Sequence, residues 1–304
     1  MRFTHFVLGA TLLMLGGCAR PPEVPKHRSD CPPGGVYSMQ RAQCIDNTTL
    51  LQMLEPYPVV FIGDLHDNLE LHRFVAGLID ALHGAGYRVH LANEWFTPAD
   101  DALLEEYAAG GIKDADFVEK IGWKEKAGYD FELFSPIYHA VQRDGGGLYG
   151  INLDREFRQK ISDANVTAMT PEERRFYEGL DMNVSAHRQM LAPYLDHCAH
   201  AANRSMCSER MYRVQVAWDA MMARESARLV RKVLTDEKQK LLVFAGAFHF
   251  AYGLGVNMRF ARELNLPPMT LLPVARNLAE GYPVGAAELL YLYDAEAAEG
   301  RVIQ

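Results

Sequence analysis

Long hydrophobic runs are missing from almost all of this 304-residue sequence. The apolar stretch from Phe6 to Leu15 is too short to cross a bilayer as a helix. Nothing after it is both long and apolar enough, so the sequence predicts no membrane-spanning segment. The remaining length suits one sizeable α/β domain or two small ones.

An excess of basic charge is also missing. The net charge is −8 and the pI is about 5.8. Lysine and arginine are scattered along the chain, without the stripe or patch that nucleic-acid binding needs, so we expect no nucleic-acid partner. No internal repeat is visible either, which argues against a repeat architecture.

The N-terminus has the form of a bacterial secretion signal. Arg2 provides the positive charge and residues 6–15 the apolar core. The segment Leu15-Gly-Gly-Cys18 resembles the lipobox of bacterial lipoproteins. This resemblance implies cleavage before Cys18, lipidation of that cysteine including an acyl chain such as palmitate, and stable anchoring in a lipid bilayer. The alternative is an ordinary signal peptide that happens to precede a cysteine.

Three regions follow from this interpretation. We expect a lipoprotein signal peptide over residues 1–17, a lipidated tether over 18–45 and a folded domain over 46–304. The tether prediction depends on proline and charged residues between 19 and about 35. Ala19 after the cysteine, in place of aspartate, favours the outer membrane by resemblance to Gram-negative sorting patterns. The expected location is therefore the cell envelope.

Cysteine is scarce, with five residues in all. Apart from Cys18 the count is even, which is typical of two disulfides in an exported protein. We expect Cys31 to pair with Cys44 and Cys198 with Cys207, because short loops are the easiest to close. A four-cysteine metal site is the less favoured alternative, since no Cys-x-x-Cys spacing occurs.

Short apolar runs alternate with helical patterns through the domain. The predicted strands are Pro58–Gly63, Tyr87–Asn93, Gly147–Leu153, Lys240–Gly246, Met269–Val274 and Glu288–Tyr293. This alternation predicts an α/β fold with a mostly parallel sheet and helices on both faces. Residues from about 155 to 236 show helical patterns alone, so we expect an all-helical insertion there.

Four predicted strands end in residues that bind metals or transfer protons. Gly63-Asp-Leu-His66 and Gly246-Ala-Phe-His249 share one pattern, and glycine there would allow a tight turn off the strand. Glu94 follows another strand, and Asn152-Leu-Asp154 a fourth. Ligands bind at the carboxyl ends of parallel strands. Two imidazoles and a carboxylate would suit a divalent metal such as Zn or Mn, or acid–base chemistry.

Six segments together resemble the ChaN family, haem-binding uptake lipoproteins of the Tiki/TraB superfamily. They are GDLHDNLELH at 63–72, ANEWF at 92–96, GYDFELFSPIYHAV at 128–141, INLDRE at 151–156, AWDAMMA at 217–223 and GAFHFAYGLGVNMRFAR at 246–262. The resemblance runs from about residue 55 to 275. The family's paired Gly-x-x-His and glutamate correspond here to His66, Glu94 and His249. Asp64 stands where relatives often have glutamate, which keeps a carboxylate.

The resemblance implies a ChaN-like or erythromycin-esterase-like fold and, first, a role in binding haem or a related iron compound during iron uptake. A homodimer and an outer-membrane transporter are the partners it suggests. Histidine or tyrosine can bind haem iron. The candidates are His66, His72, Tyr138, His249 and Tyr252. His72 is equally consistent with a helix-surface role, and each tyrosine with core packing.

The wider superfamily implies a second function, a metal-dependent hydrolase acting on peptides or esters. His66, Glu94 and His249 would then hold the metal or activate water. A third alternative is an envelope binding module whose polar cluster is structural, since a single histidine at a strand end is usually just a partly buried residue.

Overall fold

A computed structural model describes residues 27–195, 198, 203–267 and 269–295. The predicted signal peptide and the lipidation site Cys18 lie outside the described residues. Within the described part, no helix has the length and apolarity needed to cross a membrane.

Eight strands of the described chain form one sheet, in the spatial order β2-β1-β8-β7-β3-β6-β4-β5. The strands are β1 Val36–Ser38, β2 Gln43–Ile45, β3 Val59–Asp64, β4 Arg88–Asn93, β5 Leu148–Gly150, β6 Gln239–Gly246, β7 Met269–Ala275 and β8 Leu289–Tyr293. The six strands from β8 to β5 are mutually parallel. β1 runs antiparallel to both of its neighbours.

Helices cover both faces of the sheet. The α-helices are α1 Asn47–Leu54, α2 Leu69–Gly84, α3 Asp101–Ala108, α4 Asp114–Ile121, α5 Trp123–Lys126, α6 Phe131–Asp144, α7 Arg155–Ser162, α8 Pro171–Glu178, α9 Ser185–Met190, α10 Ala192–Leu195, α11 Arg204–Val233 and α12 Val256–Leu264. β3 shows why two layers form. Val60 and Ile62 point into the core beneath α2 and α6, whereas Val59 and Phe61 point into the core beneath α11 and α12.

The fold prediction is confirmed. Strands buried on both faces are continuous apolar runs, which is what the sequence contained. Between β5 and β6 the described residues form helices and loops alone, as expected for the insertion. Its main element is α11, whose first turn is capped by the Asn203 side chain accepting a hydrogen bond from the Met206 amide.

The boundary that we predicted for the tether is wrong. Residues before 46 already belong to the folded domain, because β1 pairs with β8 and β2 pairs with β1. Each of these two strands has three residues, too few to show an alternating pattern in the sequence. Residues 36–45 of the predicted tether therefore form one edge of the sheet.

Both predicted disulfides are present. The Cα atoms of Cys31 and Cys44 are 5.8 Å apart, and those of Cys198 and Cys207 are 5.6 Å apart. The first bond ties the segment before β1 to β2. The second links the chain before α11 to the first turn of that helix.

Candidate functional site

His66, Glu94 and His249 come together at the carboxyl edge of the sheet. They follow β3, β4 and β6, which are neighbours in the order β3-β6-β4. Glu94 Oε1 lies 4.0 Å from His66 Nδ1, and Glu94 Oε2 lies 3.5 Å from His249 Nε2. The carboxylate thus stands between the two imidazoles, as the strand-end pattern predicted.

Glu94 is held in a buried position by the backbone. The amide of Gly246 donates a hydrogen bond of 2.6 Å to Oε1. Burial raises the pKa of this carboxyl above its ordinary value, and the nearby imidazoles of His249 and His66 oppose that rise. A carboxyl with a raised pKa can exchange a proton with either histidine. A bound cation would instead favour its ionised form.

Asp64, the last residue of β3, joins two histidines. Its Oδ2 accepts a 2.8 Å hydrogen bond from His66 Nδ1, and its Oδ1 accepts one of 2.7 Å from His72 Nε2. Burial disfavours the charged carboxylate, but the hydrogen bonds from both histidines outweigh burial and lower its pKa. Sequence reasoning noticed this carboxylate but gave it no role.

His72 is not available as a ligand for haem. Its side chain is fully buried, and its second ring nitrogen, Nδ1, lies 2.8 Å from the carbonyl oxygen of Leu133. Both nitrogens are therefore engaged within the protein. The residue is a buried partner of Asp64, and neither of the two roles expected from the sequence describes it.

The second ring nitrogen of His66, Nε2, lies on the side of Gly246. Its ring packs edge-on against Trp95 and Tyr129, at centroid distances of 4.6 and 5.4 Å. Burial opposes protonation of His66, but Asp64 and then Glu94 raise its pKa overall. Among the described residues, Nε2 has no hydrogen-bond partner, and this atom is free to bind a ligand.

His249 is held in the same way by a second buried aspartate. Asp219 on α11 accepts a 2.6 Å hydrogen bond from His249 Nδ1, and Gln215 Nε2 lies 2.9 Å from the same nitrogen. The other carboxylate oxygen of Asp219 lies 3.1 Å from His187 Nε2 and 3.8 Å from Arg259. Burial opposes ionisation of Asp219, yet the adjacent His187 and the hydrogen bond from His249 lower its pKa.

Asp219 is a site residue that the sequence analysis missed. It lies in the segment AWDAMMA, and an aspartate among apolar helix positions was the available signal. Such a carboxylate is rarely buried without partners. No pattern in the sequence, however, indicated that those partners come from α9, from α12 and from the turn after β6.

The two glycines of the Gly-x-x-His segments serve different purposes. Neither is among the described residues with positive φ, so a special turn conformation is not why they are needed. A Cβ atom on Gly63 would lie 2.7 Å from Leu272 Cδ2, which marks close packing. A Cβ atom on Gly246 would lie 3.4 Å from His66 Cε1 and 3.6 Å from His249 Cδ2. Gly246 thus keeps open the space between the two imidazoles.

An open pocket of about 410 Å³ adjoins these imidazoles. Its lining consists of His66, Ser162, Leu191, Tyr194, Leu195, Arg210, Met211, Val214, Gln215, Trp218, Gly246, Phe248 and His249. Most of these side chains are apolar, and His66 and His249 supply polar atoms. This combination is typical of a site for a small, largely apolar ligand. Trp218 packs partly against the core and also lines the pocket.

The two tyrosine candidates lie elsewhere. Tyr138 is fully buried, and its hydroxyl accepts a 3.0 Å hydrogen bond from Asn93. Burial raises its pKa well above the ordinary value, which disfavours the phenolate that would bind iron. Tyr252 is exposed and has a φ of 59°, an uncommon conformation for a bulky residue, but it is outside the pocket lining.

A divalent cation also has a possible site. Asp64, His66 and Glu94 each offer one ligand atom, and these atoms lie within 4.8 Å of one another. Imidazole and carboxylate ligands suit Zn or Mn. The group differs from the predicted set, because Asp64 takes the place of His249. The residues present therefore fit a metal on the His66 side of Glu94.

A family model described as haem-binding uptake, Tiki superfamily, ChaN matches residues 50–260. No curated protein matches the chain significantly. A solved structure of ChaN of Campylobacter jejuni with cofacially bound haem is 14% identical and superposes with a TM-score of 0.64, covering 84% of this chain and 95% of the other.

Two other solved structures are more distant. The type III effector HopBA1 is 18% identical, with a TM-score of 0.44 over 81% of this chain and 92% of that one. An erythromycin esterase, EreC, is 12% identical, with a TM-score of 0.44 over 79% and 77% of the two chains.

Proposed function

This chain belongs to the haem-binding uptake family of the Tiki superfamily that includes ChaN, and from this membership we propose that it binds haem in the cell envelope. The observation that carries the proposal is the largely apolar pocket that His66 lines. A porphyrin needs an apolar slot, and its iron needs an axial donor. The pocket and the free His66 Nε2 meet both needs.

In this proposal His66 would hold the haem iron. Its Nδ1 is engaged by Asp64, which fixes the ring orientation and leaves the Nε2 lone pair for iron when the imidazole is neutral. His249 then lies across the space above Gly246 as a second polar contact. Arg210, which pairs with Asp163 at 3.0 Å, lines the same pocket and would add positive charge near the propionates of a bound haem.

The proposal includes the cellular setting. Lipid on Cys18 would anchor the chain at the envelope, with the outer membrane as the favoured site, and haem would be bound during iron uptake through an outer-membrane transporter. A relative binds haem cofacially. The pocket described here is not closed off from solvent, and a homodimer in which two such pockets face each other would allow the same arrangement.

Haemin titration tests the proposal. The chain lacking residues 1–18 is mixed with haemin, and the Soret band is followed to saturation. We expect a saturable shift, with affinity at least about tenfold weaker in His66→Ala, a loss of about 1.4 kcal/mol. His139→Ala is the matched control, because His139 is half-buried beside Asp114 and lies outside the pocket. A missing shift, or equal affinity in both variants, would contradict the proposal.

Metal-dependent hydrolysis is the second candidate function. It is favoured by the Asp64, His66 and Glu94 group together with the His249–Asp219 pair. A bound metal would activate water at this group, while His249 accepts or donates a proton. Cleavage of ester or peptide substrates should then require Zn or Mn and disappear in Glu94→Gln. The exposed Glu106→Gln is the control. Absence of turnover with either metal counts against this function.

A further inference from the structure

The chain enters the domain at the same edge of the sheet as the candidate site. β1 is antiparallel to β8, whereas β8, β7, β3, β6 and β4 are parallel to one another. The residues just before β1 therefore lie at the carboxyl edge, where Gly34 donates a 2.7 Å hydrogen bond to the carbonyl of Leu292. The segment leading to Cys18 departs from this edge.

The departure point is fastened to the domain. Arg28 donates hydrogen bonds to the carbonyl of Ala279, at 3.0 Å, and to that of Tyr282. The amide of Ser29 donates to Glu280 at 3.0 Å, and Arg276 donates to the carbonyl of Ser29 at 2.8 Å. These contacts hold the 3₁₀ turn Arg28–Asp30 against the 3₁₀ helix Arg276–Gly281. The first described residue, His27, is thus at a defined place.

The predicted lipid lies a short chain length away. Nine peptide units separate Cys18 from His27. A fully extended chain of this length spans at most about 30 Å. With the lipid of Cys18 in a bilayer, the Arg28–Asp30 turn stays within about that distance of the membrane.

Exposed apolar side chains lie in the segments that follow β6 and β7 at this edge of the sheet. Leu278 is 64% exposed and precedes Ala279, while Val284 is 81% exposed and follows Tyr282 by two residues. Tyr252 and Phe248 are also exposed, and Phe248 lines the pocket. The Tyr252 amide is hydrogen-bonded to the carbonyl of Ala286, so Tyr252 lies beside the loop that carries Val284. Grouped apolar side chains in water are typical of a surface that contacts a partner or a membrane.

We propose that this apolar rim, formed by Leu278, Val284, Tyr252 and Phe248, docks on the lipid bilayer, so that the pocket opens toward the membrane. Lipid is the occupant because the anchor and the rim share one edge of the domain. The inference rests on the lipid anchor of the proposed function. Its consequence is that a flat, largely apolar ligand passes between bilayer and pocket with little exposure to water.

Depth-dependent fluorescence quenching tests the docking. The full-length processed chain, with lipid on Cys18 established by its mass, is reconstituted in phosphatidylethanolamine and phosphatidylglycerol vesicles that contain brominated phosphatidylcholine. Leu278→Trp adds a fluorophore on the rim. Glu237→Trp adds one in the exposed loop before β6, at the opposite edge. We expect the emission added at 278 to lose most of its intensity, and the emission added at 237 to keep it.

Each alternative outcome has a distinct meaning. A lipidated chain with equal quenching at 278 and 237, or with quenching at neither, contradicts the docking and leaves the anchor intact. A chain that carries no lipid contradicts both. Hydrogen exchange of the unsubstituted protein is an independent measurement, and amides of residues 276–284 should be more protected on vesicles than in the lipid-free Cys18→Ala protein. Equal protection in the two states contradicts the docking.

Discussion

Buried aspartates orient both histidines of the site. Asp64 binds Nδ1 of His66, and Asp219 binds Nδ1 of His249. A buried carboxylate is tolerated because hydrogen-bonding partners compensate for its lost hydration. Nε2 of His66 faces the space above Gly246, and Nε2 of His249 lies beside Glu94. The orientation of the two imidazoles therefore depends on carboxylates buried behind them.

Asp219→Asn should destabilise the protein in a pH-dependent way. Removing one partner from a buried ion pair costs about 3 kcal/mol of unfolding free energy. The pKa of Asp219 is lowered, mainly by the adjacent His187 and the hydrogen bond from His249 against the opposing effect of burial, so its contribution is present above the ordinary aspartate pKa of 3.8. The pKa of His249 is raised by Asp219 against burial, so its contribution is complete below 6.5 and fades as the pH rises through the raised value.

The loss from Asp219→Asn is therefore expected to be greatest between about pH 3.8 and 6.5 and smaller at alkaline pH. Urea unfolding of the parent and the variant at about pH 5 and about pH 9 measures the difference. Asp80→Asn is the control, because Asp80 forms an exposed pair with Arg143 that contributes at most about 1 kcal/mol. An equal loss at both pH values speaks against the coupling of Asp219 to His249.

Gly246→Ala should change haemin affinity, whereas Gly63→Ala should change stability. At Gly246 the new methyl group meets ordinary contact distances, so the unfolding free energy should change by less than about 1 kcal/mol. The same methyl group fills the space between His66 and His249, so haemin affinity should fall. At Gly63 it collides with Leu272, and overpacking of this kind costs about 1–3 kcal/mol. Thermal unfolding and Soret titration of both variants separate the two roles. The same pattern of changes in stability and affinity in both variants would contradict them.

At the scale of elements, α11 and the short strand β1 matter most for the site. α11 provides Asp219 and Gln215 behind His249, and Met211, Val214 and Trp218 along the pocket. β1 reverses the direction of the chain at the sheet edge and so brings the N-terminal segment to the carboxyl edge. One helix thus builds the pocket, and one three-residue strand decides where the anchor would lie.

Removal of the Cys31–Cys44 disulfide should loosen this sheet edge. The bond closes a loop with a sequence separation of 13, and cross-links of this size stabilise the folded state by about 3 kcal/mol. We expect the double variant Cys31→Ala/Cys44→Ala to lose roughly that amount in urea unfolding. Haemin affinity should be unchanged, since neither cysteine lines the pocket. An unchanged unfolding midpoint would show that the two short strands hold without the bond.

At the scale of the whole molecule, the fold concentrates function at one edge. His66, Glu94 and His249, the pocket that two of them line and the turn that precedes β1 all lie at the carboxyl edge of the sheet. Parallel strands produce this result because their carboxyl ends point the same way. A lipid anchor at Cys18, as proposed, would join the domain at the edge that holds the candidate site.

Cys18→Ala should release the protein from the membrane. The parent chain is expected in the membrane fraction, with lipid attached to Cys18, because several acyl chains anchor stably. The variant should move to the water-soluble fraction and keep its haemin affinity, since the pocket lies in the folded domain. Cell fractionation followed by mass measurement checks both points. A variant that still sediments with membranes after salt washing would show that Cys18 is not the anchor.

The sequence by itself determined the fold class, the disulfide pairs and the meeting of His66, Glu94 and His249. It could do so because buried parallel strands are continuous apolar runs, and because the residue that follows such a strand must lie at its carboxyl end. These are local patterns with one simple consequence in space. The same patterns misled us on the tether, where strands of three residues leave no periodic trace.

Tertiary structure alone decided what surrounds those three residues. Asp219 and Trp218 reach the site from α11, about thirty positions before His249, and no spacing rule connects them with it. Burial likewise excluded His72 and Tyr138, because exposure depends on how helices pack and not on residue type. Packing between distant segments thus determined which side chains orient the two histidines and which line the pocket, at a site that the sequence had located.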